Sequence, residues 1–143
     1  MHTRHDTDTT IRRLLADTHT WAVVGLSTSP NRAAYGVARF LQQQGKRIVP
    51  VHPKAETVHG EPGYRSVDEI PFAVDVVDVF VNSGQAGVVA DAAVAVGACA
   101  VWFQLGVVDH DAYERVRAAG LDMVMDRCPA VEWPRLGPRP AEG

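Results

Sequence analysis

The sequence predicts an α/β protein: one doubly wound, Rossmann-like, five-stranded and mostly parallel sheet with helices on both faces. Three observations carry this. Short apolar runs alternate along the chain with stretches of helical periodicity. The runs are continuously apolar, as in strands covered on both faces. The links between them are mostly a few residues long, which fits right-handed crossovers through helices. At 143 residues one domain is expected. It spans residues 1–143, ordered over about 9–132, with a proline-rich tail over 133–143.

Residues 1–8 are polar and read as loose. Ile11, Leu14 and Leu15 then recur at helical spacing in a short amphipathic helix ending near His19. Trp21 to Gly25 is the first strand. Ala34, Val37, Ala38 and Leu41 share one face of the next helix, which Gly45 stops. Arg47 to Val51 is the second strand, where Pro50 suggests a sheet edge or a local irregularity. A Gly/Pro-containing loop over 53–65 leads to Ser66-Val67-Asp68-Glu69, a capping-box pattern for one helical turn.

Val74 to Val81 is the third strand, with Asp75 and Asp78 as its charges. Val88, Val89, Ala92, Ala93 and Val96 form the apolar face of a helix ending at Gly97. Ala98 to Phe103 is the fourth strand and Gln104-Leu105-Gly106 its exit. Asp109 or Asp111 caps a helix through Ala112, Tyr113, Val116 and Ala119, and Leu121 to Met125 is the fifth strand. From Trp133 the prolines exclude regular structure, so the tail reads as extended or disordered. The expected strand order is 3-2-1-4-5. Ligands of such sheets bind at the carboxyl ends of the strands, at the switch point, here between strands one and four. That gathers 25–36, 51–54, 80–84 and 104–106 on one rim.

Composition narrows the function. Fourteen basic residues against 17 acidic ones leave a net charge of −3, which disfavours a nucleic-acid binder. Any positive site must be local, and Lys46 and Lys54 are the only lysines. Cys99 and Cys128 form no C-x-x-C pair, and the histidines form no ligand pattern, so no metal is expected. No run reaches the roughly 18–20 apolar residues of a membrane span, and the polar start lacks a signal-peptide core. The expected location is the cytoplasm.

The first strand stops at Gly25 and opens through Leu26-Ser27-Thr28-Ser29-Pro30 into a helix, a junction suited to a phosphate. A dinucleotide is the general expectation for it. Here the second and third glycines of G-x-G-x-x-G are missing. After strand two the chain has Val51-His52-Pro53-Lys54 where NAD sites place an acid. A lysine suits a ribose phosphate, leaving NADP or coenzyme A. Arg32 opposes the dipole at its helix start, a misfit that a bound anion would relieve.

Four stretches resemble the small CoA-binding protein family, which is related to the N-terminal CoA-binding domain of the succinyl-CoA synthetase α subunit. They are Val24 to Tyr35, Ile48 to Lys54, Val101 to Gly106 and Val124 to Pro129, together covering roughly residues 11–133. The resemblance implies that Gly25, Ser27 and Thr28 hold the CoA pyrophosphate with Arg32 nearby. It implies that Val51, Pro53 and Lys54 frame the adenosine and its 3′-phosphate. Phe80 and Val81 would form another wall, and Gln104, Leu105 and Gly106 would lie beside the pantetheine path. Many relatives carry arginine after strand three, where this chain has Val81-Asn82-Ser83-Gly84.

The expected function is non-catalytic binding of CoA or an acyl-CoA, since no nucleophile–base pair is recognisable. An NADP-dependent reductase or a Cys128-dependent acyl transferase is the enzymatic rival. A regulatory subunit with CoA as effector, using a protein partner or its own copy, is the other. Asp126-Arg127-Cys128 reads as an ion pair beside a buried thiol, and Trp102 and Phe103 as core.

Overall fold

The computed structural model describes residues 4–139. Its elements are α1 (Arg4–Asp17), β1 (Thr20–Val24), α2 (Ala33–Gln43), β2 (Arg47–Val51), a 3-10 turn (Val67–Glu69), β3 (Val76–Val79), α3 (Ser83–Ala95), β4 (Ala100–Phe103), α4 (His110–Ala118), β5 (Asp122–Val124) and α5 (Pro129–Leu136). All five strands are parallel, so the expected class holds.

The order is β2-β1-β3-β4-β5, which corrects the expected 3-2-1-4-5. β2 is an edge, and the switch point lies between β1 and β3. Pro50 accounts for the edge position. Its carbonyl accepts from Tyr64 N at 3.0 Å on the side away from β1. Its ring nitrogen faces the same way, so the missing N–H removes no bond from the β1–β2 ladder. The long connection from His52 to Asp75 then carries the chain past β1 to the opposite side.

Alternate residues of each strand feed two cores. On one face Ala22, Val24, Val77, Val79, Val101 and Phe103 meet α3 and α4. On the other, Trp21, Val23, Ile48, Val76 and Trp102 meet α1, α2 and α5. Trp21 and Trp102 are fully buried with ring centroids 5.6 Å apart, a pair worth about 0.5–1.5 kcal/mol beyond area burial.

Four local expectations change. Residues 4–8 are helical rather than loose, and Asp8 is held by both terminal nitrogens of Arg135, at 2.9 and 3.1 Å. The tail from Trp133 continues as helix to Leu136. Pro129 sits in its first turn, where no N–H is needed. Pro134 is tolerated because packing outweighs one lost bond: Trp133 meets the edge of Phe40 at 5.8 Å and Leu136 is buried. Residues 137–139 are irregular, and Pro140 onward lies outside the described residues. On α3 the face turned to the sheet is Ala86, Ala90 and Ala93, while Val88 is 76% exposed. An almost uniformly apolar helix gives periodicity little to choose from, and alanines let its axis come closest to the sheet. Ser66 precedes the 3-10 turn as expected, but its side chain makes no capping bond.

Candidate ligand cleft at the carboxyl rim

Beyond β1 the chain must turn at once toward α2, and Gly25 makes that possible. Its φ of +102° is strained for any side chain, and a Cβ there would lie 3.2 Å from Phe80 Cβ. Gly25 N donates to Val51 O at 2.8 Å, fixing the loop against the end of β2. Ser29 N donates to Ser27 Oγ at 3.3 Å, and Ser29 O accepts from Arg32 N at 3.2 Å.

Helices α2, α3 and α4 all begin on this rim, but they begin differently. Asn82 accepts from Gln85 N in α3, and Asp109 accepts from Ala112 N in α4. The start of α2 is Arg32, which makes no side-chain cap, and its first turn holds no acid. No side chain therefore caps the first turn of α2, and Arg32 borders the adjoining space.

That space is a cleft of about 900 Å³ between the β1, β2 and β3 exits. Of the residues expected in a site, it is lined by Gly25, Ser27, Thr28, Arg32, Val51, Pro53, Lys54 and Val81. Phe80, Gln104, Leu105 and Gly106 do not line it. Phe80 lies under Gly25 as its support. The other three follow β4, one strand beyond the actual switch point. Gln104 is buried, Leu105 is 54% exposed, and Gly106 N is held by Asp126 Oδ1 at 2.8 Å.

Topology adds residues that the sequence did not single out. The connection after β2 brings Glu56 and Arg65, and α3 brings Gln85, Val88 and Val89 beside Gly84 of the expected rim. Glu56 Oε2 accepts from Thr28 Oγ1 at 3.2 Å, so the β2 exit does present an acid, two residues past Lys54. A signal for the connection existed in His59, which clamps it to α2. Its Nε2 lies 2.8 Å from Tyr35 O, its ring is 4.3 Å from that of Tyr35, and its own carbonyl accepts from Gln42 Nε2 at 3.0 Å.

The cleft thus carries Arg32, Lys54 and Arg65 against the single carboxylate of Glu56, a local positive site on an acidic chain. Arg32 and Lys54 form no ion pair among the described residues. Such a surface can hold several phosphate charges at one end and apolar groups along Val81, Val88 and Val89.

Other candidates have structural roles. Asp75 Oδ2 accepts from His19 N and Thr20 N at 2.8 and 3.0 Å. Cys128 is buried at the start of α5 and does not line the cleft. Asp126 and Arg127 form no side-chain ion pair. Asp126 accepts from Gly106, and Arg127 Nη1 donates to the Asp126 main-chain carbonyl at 3.3 Å. Asp78 is fully buried between Val23 and Trp102 of the flanking strands, and neither carboxyl oxygen has a partner among the described residues. Burial pushes its pKa well above the ordinary carboxylate value. Among the described residues no three His, Cys, Asp or Glu are placed to hold a metal ion. No helix is long and apolar enough to cross a membrane.

Known proteins share the fold. The uncharacterized protein YneT of Bacillus subtilis (strain 168) is 34% identical over 118 residues, 82% of this chain and 87% of that one. A hypothetical protein from Pyrococcus horikoshii OT3 superimposes with a TM-score of 0.87 at 36% identity, over 95% of this chain and 98% of that one. The α subunit of acetate–CoA ligase [ADP-forming] II from Pyrococcus furiosus is 39% identical over 61 residues, 42% of this chain but 13% of that subunit. The family model described as CoA binding domain matches residues 19–134, every strand and the cleft included, and the chain belongs to that family.

Proposed function

We propose that this chain binds coenzyme A or an acyl-CoA in the β1/β3 cleft and performs no chemistry on it alone. The observation that carries this is the uncapped start of α2, with Arg32 on the wall of a cleft whose floor is Gly25. Backbone N–H groups at 27 and 28, the Ser27 and Thr28 hydroxyls and Arg32 hold the diphosphate. Val51 and Pro53 flank the adenosine, and Lys54 takes the ribose phosphate. Val81, with Val88 and Val89, lies along the uncharged arm.

The lining of the cleft supports binding without chemistry. The cleft is lined by no cysteine, and His52 is its only histidine. Cys128, the nucleophile of the transferase alternative, is buried elsewhere. The chain then acts as a CoA-holding module whose chemistry or regulatory output belongs to a partner. Calorimetric titration with CoA tests the binding, with saturable one-to-one heat expected and no heat fatal to the reading. Incubation with acetyl-CoA tests the rest. Thioester loss, or acetylation of Cys128 in an intact-mass spectrum, would establish an enzyme instead.

Glu56 favours one second reading. A carboxylate on the β2 exit can accept from a ribose hydroxyl, as a dinucleotide site requires. Competition separates the two: NADPH displacing CoA at equal or lower concentration would favour the dinucleotide.

A further inference from the structure

The cleft is electrically one-sided. Its cations come from the β1 and β2 exits and the β2–β3 connection, whereas the opposite wall, Val81, Gly84, Gln85, Val88 and Val89, carries no charge. A ligand with a diphosphate and a separate phosphate monoester must therefore place both on the β1–β2 side. Arg32 stands at the diphosphate end, on the start of α2. Lys54 is the cation on the β2 exit itself, and one ammonium only partly offsets a phosphate dianion.

Arg65 is the remaining cation. The backbone on which it stands is fixed: Tyr64 N donates to Pro50 O and His52 N to Tyr64 O, both at 3.0 Å, and the 3-10 turn begins two residues later. This places Arg65 alongside the His52-to-Lys54 turn, where Lys54 N donates to His52 Nδ1 at 3.2 Å. The Arg65 side chain is 70% exposed, and its partner, Glu69 Oε1, lies 3.6 Å from its Nε, beyond a normal hydrogen bond. The guanidinium is loosely held, its fork is open, and it borders the same cleft as Lys54.

Resting on the CoA reading, we propose that Arg65 and Lys54 form a two-cation clamp that reads the phosphate monoester on the ligand's ribose. Arg65 then determines specificity for the 3′-phosphorylated ligand, supplying from the β2–β3 connection the charge that Val81 and Asn82 do not provide after β3. Glu69 is a stand-in anion that the phosphate displaces. A planar fork matches phosphate oxygens two at a time, which an ammonium cannot do.

Titration of wild type, Arg65→Gln and Glu69→Gln with CoA and with dephospho-CoA tests this. Wild type should prefer CoA. Arg65→Gln should weaken CoA by about tenfold or more while dephospho-CoA barely moves, so that the preference collapses. Glu69→Gln should tighten CoA about twofold by freeing the guanidinium. An unchanged thermal midpoint shows that the exposed substitutions leave the fold intact. Arg65→Gln binding CoA like wild type, or losing both ligands equally, overturns the clamp and leaves the CoA reading standing. Wild type binding neither ligand overturns both.

Discussion

The two halves of the carboxyl rim are built from similar parts and behave in opposite ways. On the β4–β5 half the chain answers its own donors. Gly106 N meets Asp126, Val108 N meets Ser83 Oγ at 2.9 Å, and Ala112 N meets Asp109 at 3.0 Å. On the β1–β2 half the α2 start has no side-chain cap, and the cations around it are unpaired or loosely paired. The first half is a closed surface and the second a cleft. A rim becomes a candidate site where its donors are left open, and being at the end of a parallel strand is not enough.

That contrast can be broken most violently at Gly25. A Gly25→Val chain has to accommodate a β-branched residue at φ +102° against Phe80. A cost of about 1–3 kcal/mol in urea unfolding is expected, together with loss of measurable CoA binding. Next comes Arg32→Ala, expected to weaken CoA by about 10- to 100-fold with an unchanged unfolding midpoint, since Arg32 caps nothing. Asp109→Ala is its mirror image on the closed half. It removes a cap, so about 1 kcal/mol of stability should go while the CoA titration stays as it was.

Asp78 belongs to the floor beneath both halves. Its folded pKa lies above the unfolded value, so the folded chain holds the proton more tightly. Its contribution is most favourable below about pH 4 and is lost as pH rises toward the folded value. Asp78→Asn should therefore gain on wild type with increasing pH, by roughly 1.4 kcal/mol for each pH unit between the unfolded and folded values, with identical ligand affinity. Urea titrations at pH 5, 6.5 and 8 measure this. The smallest effect is expected at Leu105. Leu105→Ser should change CoA affinity less than about twofold, and a larger loss would extend the site onto the β4 exit.

Most elements were legible because buried parallel strands announce themselves as unbroken apolar runs, and glycines mark where helices stop. Strand neighbours were less so. Pro50 pointed to an edge, and the long 52–75 connection allowed β3 to pass beyond β1, but no residue in that connection names its destination. The site suffered from the same gap. Residues next to a strand end in sequence, Gly25 through Arg32 and Val51 through Lys54, were readable from their own chemistry. Arg65 reaches the cleft because Tyr64 pairs along the outer side of β2, and Val88 because β3 lies beside β1, facts of topology rather than of local pattern. The helix at Trp133 was hidden because prolines are visible in sequence, while the surfaces of Phe40 and Asp8 that outweigh them are not.

Pro50 has one more consequence, for how copies of this chain meet. Along the outer side of β2 its nitrogen has no hydrogen to offer, and its carbonyl is already taken by Tyr64. At the far margin β5 is three residues long, and Arg13 reaches across to Asp122 at 2.6 Å. An incoming strand finds a blunted margin on either side, so the sheet resists lengthening into aggregates. Contacts between copies are left to the helical surfaces, where they can form without unravelling the strands beneath the cleft.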